Sequence, residues 1–337
     1  MAGWALCVPA QEPASAPRPA APFLTLLLPL DAPDFAAPAN AVAQGCRASL
    51  QVAGNPLGVQ IARTDAAPAT IVAAYQSAIE RGAAVVVGPM TRDAVTALTR
   101  NLPAAAPTLT LNAPDGDGAL PSGFYSFGLS AEQEARLIAR AAHAAGRRHA
   151  GIVQARTALA RRMAQAFAAQ WLSLGGTLPD VQDFAQDASL KTLRQRLAAA
   201  KADVIFLAGD AADARLAAPY LPRNLPTYAA SVVHTGTASV LNNADLEGVR
   251  LFEMPWLVQP DHPAVMVYPR AESIADDLQR FYALGIDACR LATLLARHHE
   301  PIELDGVTGH VRMGAGGMLE REPVAAVFRG GAPVPEP

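Results

Sequence analysis

The chain has 337 residues, 51% of them hydrophobic and 17% charged, which is enough for two modest cores and excludes a disordered polymer. With 27 basic residues against 30 acidic ones, the net charge of −3 offers no excess of cations for phosphate contacts, so a nucleic-acid partner is not expected. Three cysteines, at 7, 46 and 289, are too few for a disulfide scaffold, and no CxxC spacing marks a zinc site.

Met1 to Ala10 are apolar and read as the remnant of a secretory signal, cut after Val8-Pro9-Ala10. The alternatives are a lipidated Cys7, for which Leu6 stands where a small residue belongs, and the ragged start of a cytoplasmic protein. The Pro/Ala-rich stretch QEPASAPRPAAP lacks large apolar groups and reads as a linker, so residues 1–21 are expected outside the folded body. The longest apolar run, Phe23 to Leu30, contains Pro29 and falls far short of the roughly 20 residues that a membrane span needs.

Phe23–Leu30 is instead of strand length, and a helical stretch follows from about Phe35 to Val52. Leu57–Arg63 is the next strand. Ile71, Tyr75, Ala78 and Ile79 then recur at helical spacing, with Gly82 as a C-terminal cap. Ala84–Gly88 and Thr108–Asn112 are further strands flanking a helix over Thr91–Asn101. Apolar runs without alternation, separated by helices, predict a parallel sheet covered on both faces.

A second unit starts near residue 130, where Ser130 and Gln133 form a capping box and Glu132 and Glu134 suit the positive end of a helix closed by Gly146. Strand His149–Gln154 is followed by a helix over Thr157–Leu174, and strands are expected at Ala202–Asp210 and Pro226–Val233. Val249–Val258 is strand-like but broken by Pro255, and Phe281–His299 is helical. The end reads as a hairpin, with TGHVRM joined through GAGG to a strand over Ala325–Phe328.

Two doubly wound parallel-sheet lobes of α/β class, joined by a multi-strand hinge, describe the type I periplasmic binding protein fold. The expected division is 22–128 plus 256–306 for lobe one and 129–255 plus 307–331 for lobe two. The segments LLLPLDAP, VVVGPMTRDAV, FYSFGLSAEQEARLIARAA, FYALGIDACRLA and DGVTGHVRM resemble the LppC/LpoA family of penicillin-binding-protein activators. That resemblance covers residues 22–331. It implies a non-enzymatic periplasmic protein, tethered to the outer membrane, that binds and stimulates a class A penicillin-binding protein. Membrane contact would come only through an N-terminal lipid anchor. The helical-repeat domain of longer members is not visible here. The alternative from a different class is a solute receptor for an ABC transporter.

Ligands of open α/β sheets sit beyond the carboxyl ends of the strands. That rule marks Asp31, Pro89, Met90, Thr91 and Asn112 in the first unit and Gln154, Asp210, Ser231 and Trp256 in the second. An amino-acid receptor would use Thr91 and Ser231 for the carboxylate, Asp210 for the ammonium and Trp256 as an aromatic wall, with Met90 partly filling the space. Strand ends and helix caps explain the same residues without a ligand. No GxSxG elbow, Walker A sequence or GxGxxG fingerprint is present, so no catalytic residue and no cofactor is expected. His298, His299, Glu300 and Glu303 read as a solvated helix end rather than a metal site, and Arg156, Arg161 and Arg162 as a solvated helix face. Cys46 and Cys289 both fall on helices of lobe one, as a disulfide in an oxidising compartment or as two small buried hydrophobes.

Overall fold

The computed structural model describes residues 22–336, apart from 55, 56, 66, 117, 187, 188, 237–239 and 300. The signal remnant with Cys7, the linker, and Glu300 lie outside the described residues. The first lobe alternates β1 (Phe23–Leu28), α1 (Pro33–Val52), β2 (Gly58–Arg63), α2 (Pro68–Glu80), β3 (Ala83–Val87), α3 (Arg92–Asn101), β4 (Thr108–Thr110) and β5 (Phe124–Ser126). Its strands form a parallel sheet in the order β2-β1-β3-β4-β5. Every residue of β1 is buried, which is why an unalternated apolar run was needed there.

The second lobe runs through α4 (Ala131–Ala144), β6 (Ala150–Ala155), α5 (Ala158–Ser173), β7 (Asp180–Phe184), α6 (Ser189–Ala199), β8 (Val204–Ala208), α7 (Ala211–Ala217), β9 (Thr227–Ala229), α8 (Val240–Asn243) and β10 (Arg250–Glu253). Ser130 accepts the Gln133 N–H at the start of α4, and Thr157 accepts that of Ala160 at the start of α5. The chain then returns to the first lobe with α9 (Pro255–Val258), α10 (Pro263–Met266) and α11 (Gln279–Ala296). Last come β11 (Glu303–Gly306), β12 (Gly309–Met313), β13 (Leu319–Glu322), β14 (Val324–Arg329) and β15 (Ala332–Pro335).

These last strands correct two expectations. β12 does not pair with the strand containing Phe328; it lies between β11 and β13 in a separate antiparallel sheet. Leu304, Val311 and Leu319 of that sheet belong to the first lobe's core, and a parallel bridge from Ser126 to Met318 ties it to β5. The β14–β15 hairpin instead extends the second sheet, ordered β15-β14-β10-β9-β8-β6-β7. Residues 307–322 therefore sit with the first lobe, and only the strands after Pro323 join the second. Likewise Pro226–Val233 is a strand only through Ala229 and a 3₁₀ turn over Ser231–Val233, and Pro255 begins α9 rather than interrupting a strand.

The chain passes between lobes three times: at 127–130, at Met254 and at Pro323. The long return helix α11 is held against α1 by small residues. A Cβ on Gly45 would fall 1.9 Å from the Tyr282 carbonyl oxygen, and one on Gly285 would fall 2.1 Å from that of Val42. Beside this contact Cys46 and Cys289 form a disulfide, with Cα atoms 5.2 Å apart. Trp256, Tyr282, Ile286 and Val307 pack on the other side of α11.

Candidate functional site

A cavity of about 850 Å³ lies between the lobes. The first lobe contributes Arg92, the first residue of α3, together with the loop around Pro114 and Met318–Arg321. The second contributes α4, whose Gln133, Leu137 and Arg140 recur at helical spacing, plus Arg162 of α5, Ser231, and Phe252–Met254 at the end of β10.

Glu132 sits where the walls meet. One of its oxygens, Oε1, accepts from Arg92 Nη2 at 3.2 Å and from Arg162 Nε at 2.9 Å, so one carboxylate joins the two lobes. Burial pushes its pKa up, but its own backbone N–H, Arg162, Arg92 and Ser130 outweigh that, and the group lies below the usual range. Glu134, two residues on, accepts the Ser231 N–H at 2.7 Å and the Ser231 hydroxyl at 2.9 Å. There burial dominates the Ser231 bonds and the Arg280 charge, and the pKa is raised.

In the cavity wall, Glu253 is buried between Arg280 and His234. Its Oε2 accepts from Arg280 Nη2 and lies 2.7 Å from His234 Nδ1. Burial raises its pKa, yet the Arg280 charge and the His234 contact leave it lowered overall. On the first lobe's side, Arg321 is clamped by three contacts. Its Nε donates to Thr308 Oγ1 at 3.0 Å, its Nη1 to the Gly128 carbonyl at 3.3 Å, and the guanidinium lies 4.5 Å from the Phe127 ring centre. Thr308 in turn donates to buried Asp287, which also accepts two backbone N–H groups.

Of the nine residues marked in the sequence, Ser231 lines the cavity, and Thr91 stands immediately before Arg92 as the N-terminal cap residue of α3. The Thr91 hydroxyl has no hydrogen-bond partner among the described residues. The others are engaged elsewhere. Trp256 is 0% exposed in the first lobe's core, where its Nε1 donates to Gln279 and Arg270 covers its ring, so it cannot be a cleft wall. Asp210 caps α7 in a reciprocal box with Asp213 and does not await an ammonium. Met90 is buried in the first core, and Pro89 follows Gly88 through a cis peptide, also buried. Asn112 braces its own loop, donating to the Met90 carbonyl and accepting from Ala113. Gln154 donates to Asp183 across β6 and β7, and Asp31 pairs with Arg63 at the surface.

Sequence reasoning missed the charged lining. Arg162 read as a solvated helix face, and Glu132 and Glu134 as complements to a helix dipole. Their proximity to Arg92 depends on how the lobes meet, which no local spacing encodes. Among the described residues, no group of three or more His, Cys, Asp or Glu converges as a metal site requires.

Two doubly wound lobes, three crossings between them and a cleft at the strand ends define a type I periplasmic binding protein-like fold. A model of the family described as "LppC putative lipoprotein" matches residues 22–331, and the chain belongs to that family. It is 27% identical over 328 residues to the penicillin-binding protein activator LpoA of Edwardsiella piscicida, an alignment that covers 84% of this chain and 47% of the relative. The chain thus spans about half the length of the curated relatives it matches. Among solved structures, it superposes with a TM-score of 0.77 on a Chromobacterium violaceum protein described as a "putative branched-chain amino acid ABC transporter". That pair is 33% identical, with 91% of this chain and 100% of the other covered. The LpoA C-domain from Haemophilus influenzae, described as a regulator of PBP1A, superposes equally well at 0.77, with 23% identity and coverage of 93% and 99%.

Proposed function

We propose that the chain is a non-enzymatic activator that acts in the periplasm by binding a class A penicillin-binding protein and raising its peptidoglycan synthase activity. The observation that carries this reading is the family match across both lobes, 22–331, together with relatives named as activators of penicillin-binding proteins. The Cys46–Cys289 bond supports an oxidising compartment. An N-terminal lipid anchor on the outer membrane is the tether this reading assigns. No helix among the described residues is long and apolar enough to cross a membrane.

Activation requires tighter contacts with the active conformation of the synthase than with the resting one, because only differential binding shifts such an equilibrium. A rigid outer surface suffices. The receptor reading has the Chromobacterium violaceum likeness in its favour, yet the acid and aromatic wall it requires, Asp210 and Trp256, are engaged outside the cleft. The deciding experiment immobilises the full chain and passes over it the class A synthase of the same organism, with a monofunctional transpeptidase as control. Saturable binding of the class A protein alone is expected; equal or absent binding of both rejects the proposal.

A further inference from the structure

We infer that a buried ionic network along the three crossings locks the two lobes at one fixed angle, so that they do not hinge over the cleft. This goes beyond the activator reading and does not rest on it, because a lock between the lobes is a property of this chain alone.

Arg280 stands in the first turn of α11, on the first lobe, yet its side chain reaches into the second. Its Nη1 donates to the His234 carbonyl at 2.6 Å and its Nη2 to Glu253 Oε2. Glu253 ends β10 just before the crossing at Met254, and its other oxygen, Oε1, accepts the Met254 N–H at 2.9 Å. One carboxylate therefore holds both the crossing backbone and the opposite lobe's cation. The side chains of Glu253, His234 and Arg280 are 0%, 5% and 13% exposed, so water and salt screen the pairing little. Beside it the two lobes touch without slack. A Cβ on Gly236 of the second lobe would fall 2.4 Å from the Asp276 carbonyl oxygen of the first.

Arg321 serves the other two crossings. It lies just before Pro323, its Nη1 donates to the Gly128 carbonyl in the crossing at 127–130, and its guanidinium covers Phe127. Asp287 of α11 and Glu134 of α4, one acid from each lobe, face its charge, and Glu134 also faces Arg280. Arg290 in turn pairs with Asp287 at 3.2 Å. Cations of the first lobe thus alternate with acids of both lobes along the hinge. Swinging the lobes apart would draw Arg280 away from Glu253 and leave a buried carboxylate without its cation, which is the costliest way to break such a pair. Hinge closure needs crossing residues that are free to change φ and ψ, and here each crossing is held by an arginine. The Arg92–Glu132–Arg162 bridge adds a contact from the cleft, but its arginines are 36% and 49% exposed, so it contributes less and yields to salt.

The test places spin labels on the full chain, carrying Cys7→Ser, at Arg100→Cys on α3 and Leu172→Cys on α5, exposed positions in opposite lobes, and reads their separation by electron spin resonance at low and high salt. A second pair, Leu172→Cys with Lys191→Cys, lies within the second lobe and reports its folding. One narrow inter-lobe distance, unchanged by salt, is expected of the parent. Arg280→Lys keeps the charge but loses the fork that reaches His234 and Glu253 together, and Glu253→Gln with Arg280→Met removes both charges, so neither variant strands one member of the pair as a buried ion. Both should keep the within-lobe distance and gain a second, longer inter-lobe population. Several inter-lobe distances in the parent, a parent distance that lengthens with salt, an inter-lobe distance unchanged in both variants, or loss of the within-lobe distance in both would each overturn the inference. The readout involves no synthase, so its failure and that of the activator proposal are told apart.

Discussion

Reduction of the Cys46–Cys289 bond should loosen the first lobe in a measurable way. The bond closes a loop across a sequence separation of 243, for which the chain-entropy relation gives a ceiling of about 5.5 kcal/mol at 25 °C. Native disulfides typically return about 2–5 kcal/mol on removal, because the denatured chain keeps some structure. The α1–α11 contact survives reduction, since Gly45 and Gly285 still let the helices touch, so the lobe should weaken rather than dissolve. With a urea m-value of about 3 kcal/mol/M, the unfolding midpoint of this lobe should fall by about 0.7–1.7 M on reduction or in Cys46→Ala/Cys289→Ala. Hydrogen exchange should quicken in peptides from α1 and α11 while α5 of the second lobe keeps its protection. In the denatured, unreduced chain Cys46 and Cys289 should resist thiol titration until a reductant is added. Ready titration of either before reduction, or an unchanged midpoint after verified reduction, would refute the reasoning.

Gly285→Ala places a methyl group on the Val42 carbonyl and should cost roughly 1–3 kcal/mol or more by forcing the two helices apart, read as a lower midpoint in urea. Glu253→Gln leaves the Arg280 charge without its counterion in a buried site and should destabilise by about 3–5 kcal/mol. Because the folded pKa of Glu253 is lowered, its stabilisation is present above the unfolded value near 4.5 and lost as pH falls through the lowered one, so acid unfolding measures it. Glu134 has the opposite sign. Its raised pKa favours folding below 4.5, and that contribution is lost as pH rises through the raised value, so Glu134→Gln should flatten the stability profile between pH 4.5 and neutrality. A steeper profile in the variant would contradict the assignment.

The sequence made the two-lobed architecture legible where burial is total. The apolar runs that became β1, β3 and β8 admit few readings, and Ser130 and Thr157 announce α4 and α5 through their caps. β7 escaped because it is an edge strand on which only Phe184 of DVQDF is buried and Val181 is exposed, and β5 because three residues carry no period. The C-terminal strands were visible, but not their partners: Val311 and Phe328 are equally apolar, and only tertiary pairing sends one to each lobe. Of the residues that the strand-end rule marks, Ser231 lines the cavity. The rule failed for Trp256 because Pro255 starts a helical turn that carries the indole inward to Gln279. The charged lining stayed hidden for a related reason, since exposed Arg162 becomes part of a site only when Glu132 and Arg92 arrive from other elements.

The most direct test of the central claim is the rate of glycan polymerisation by the purified class A synthase of the same organism, measured with and without the full chain. A saturable increase that survives Arg140→Gln, a change confined to the cleft, is the predicted result. An unchanged rate at saturating, folded chain would contradict the activator account.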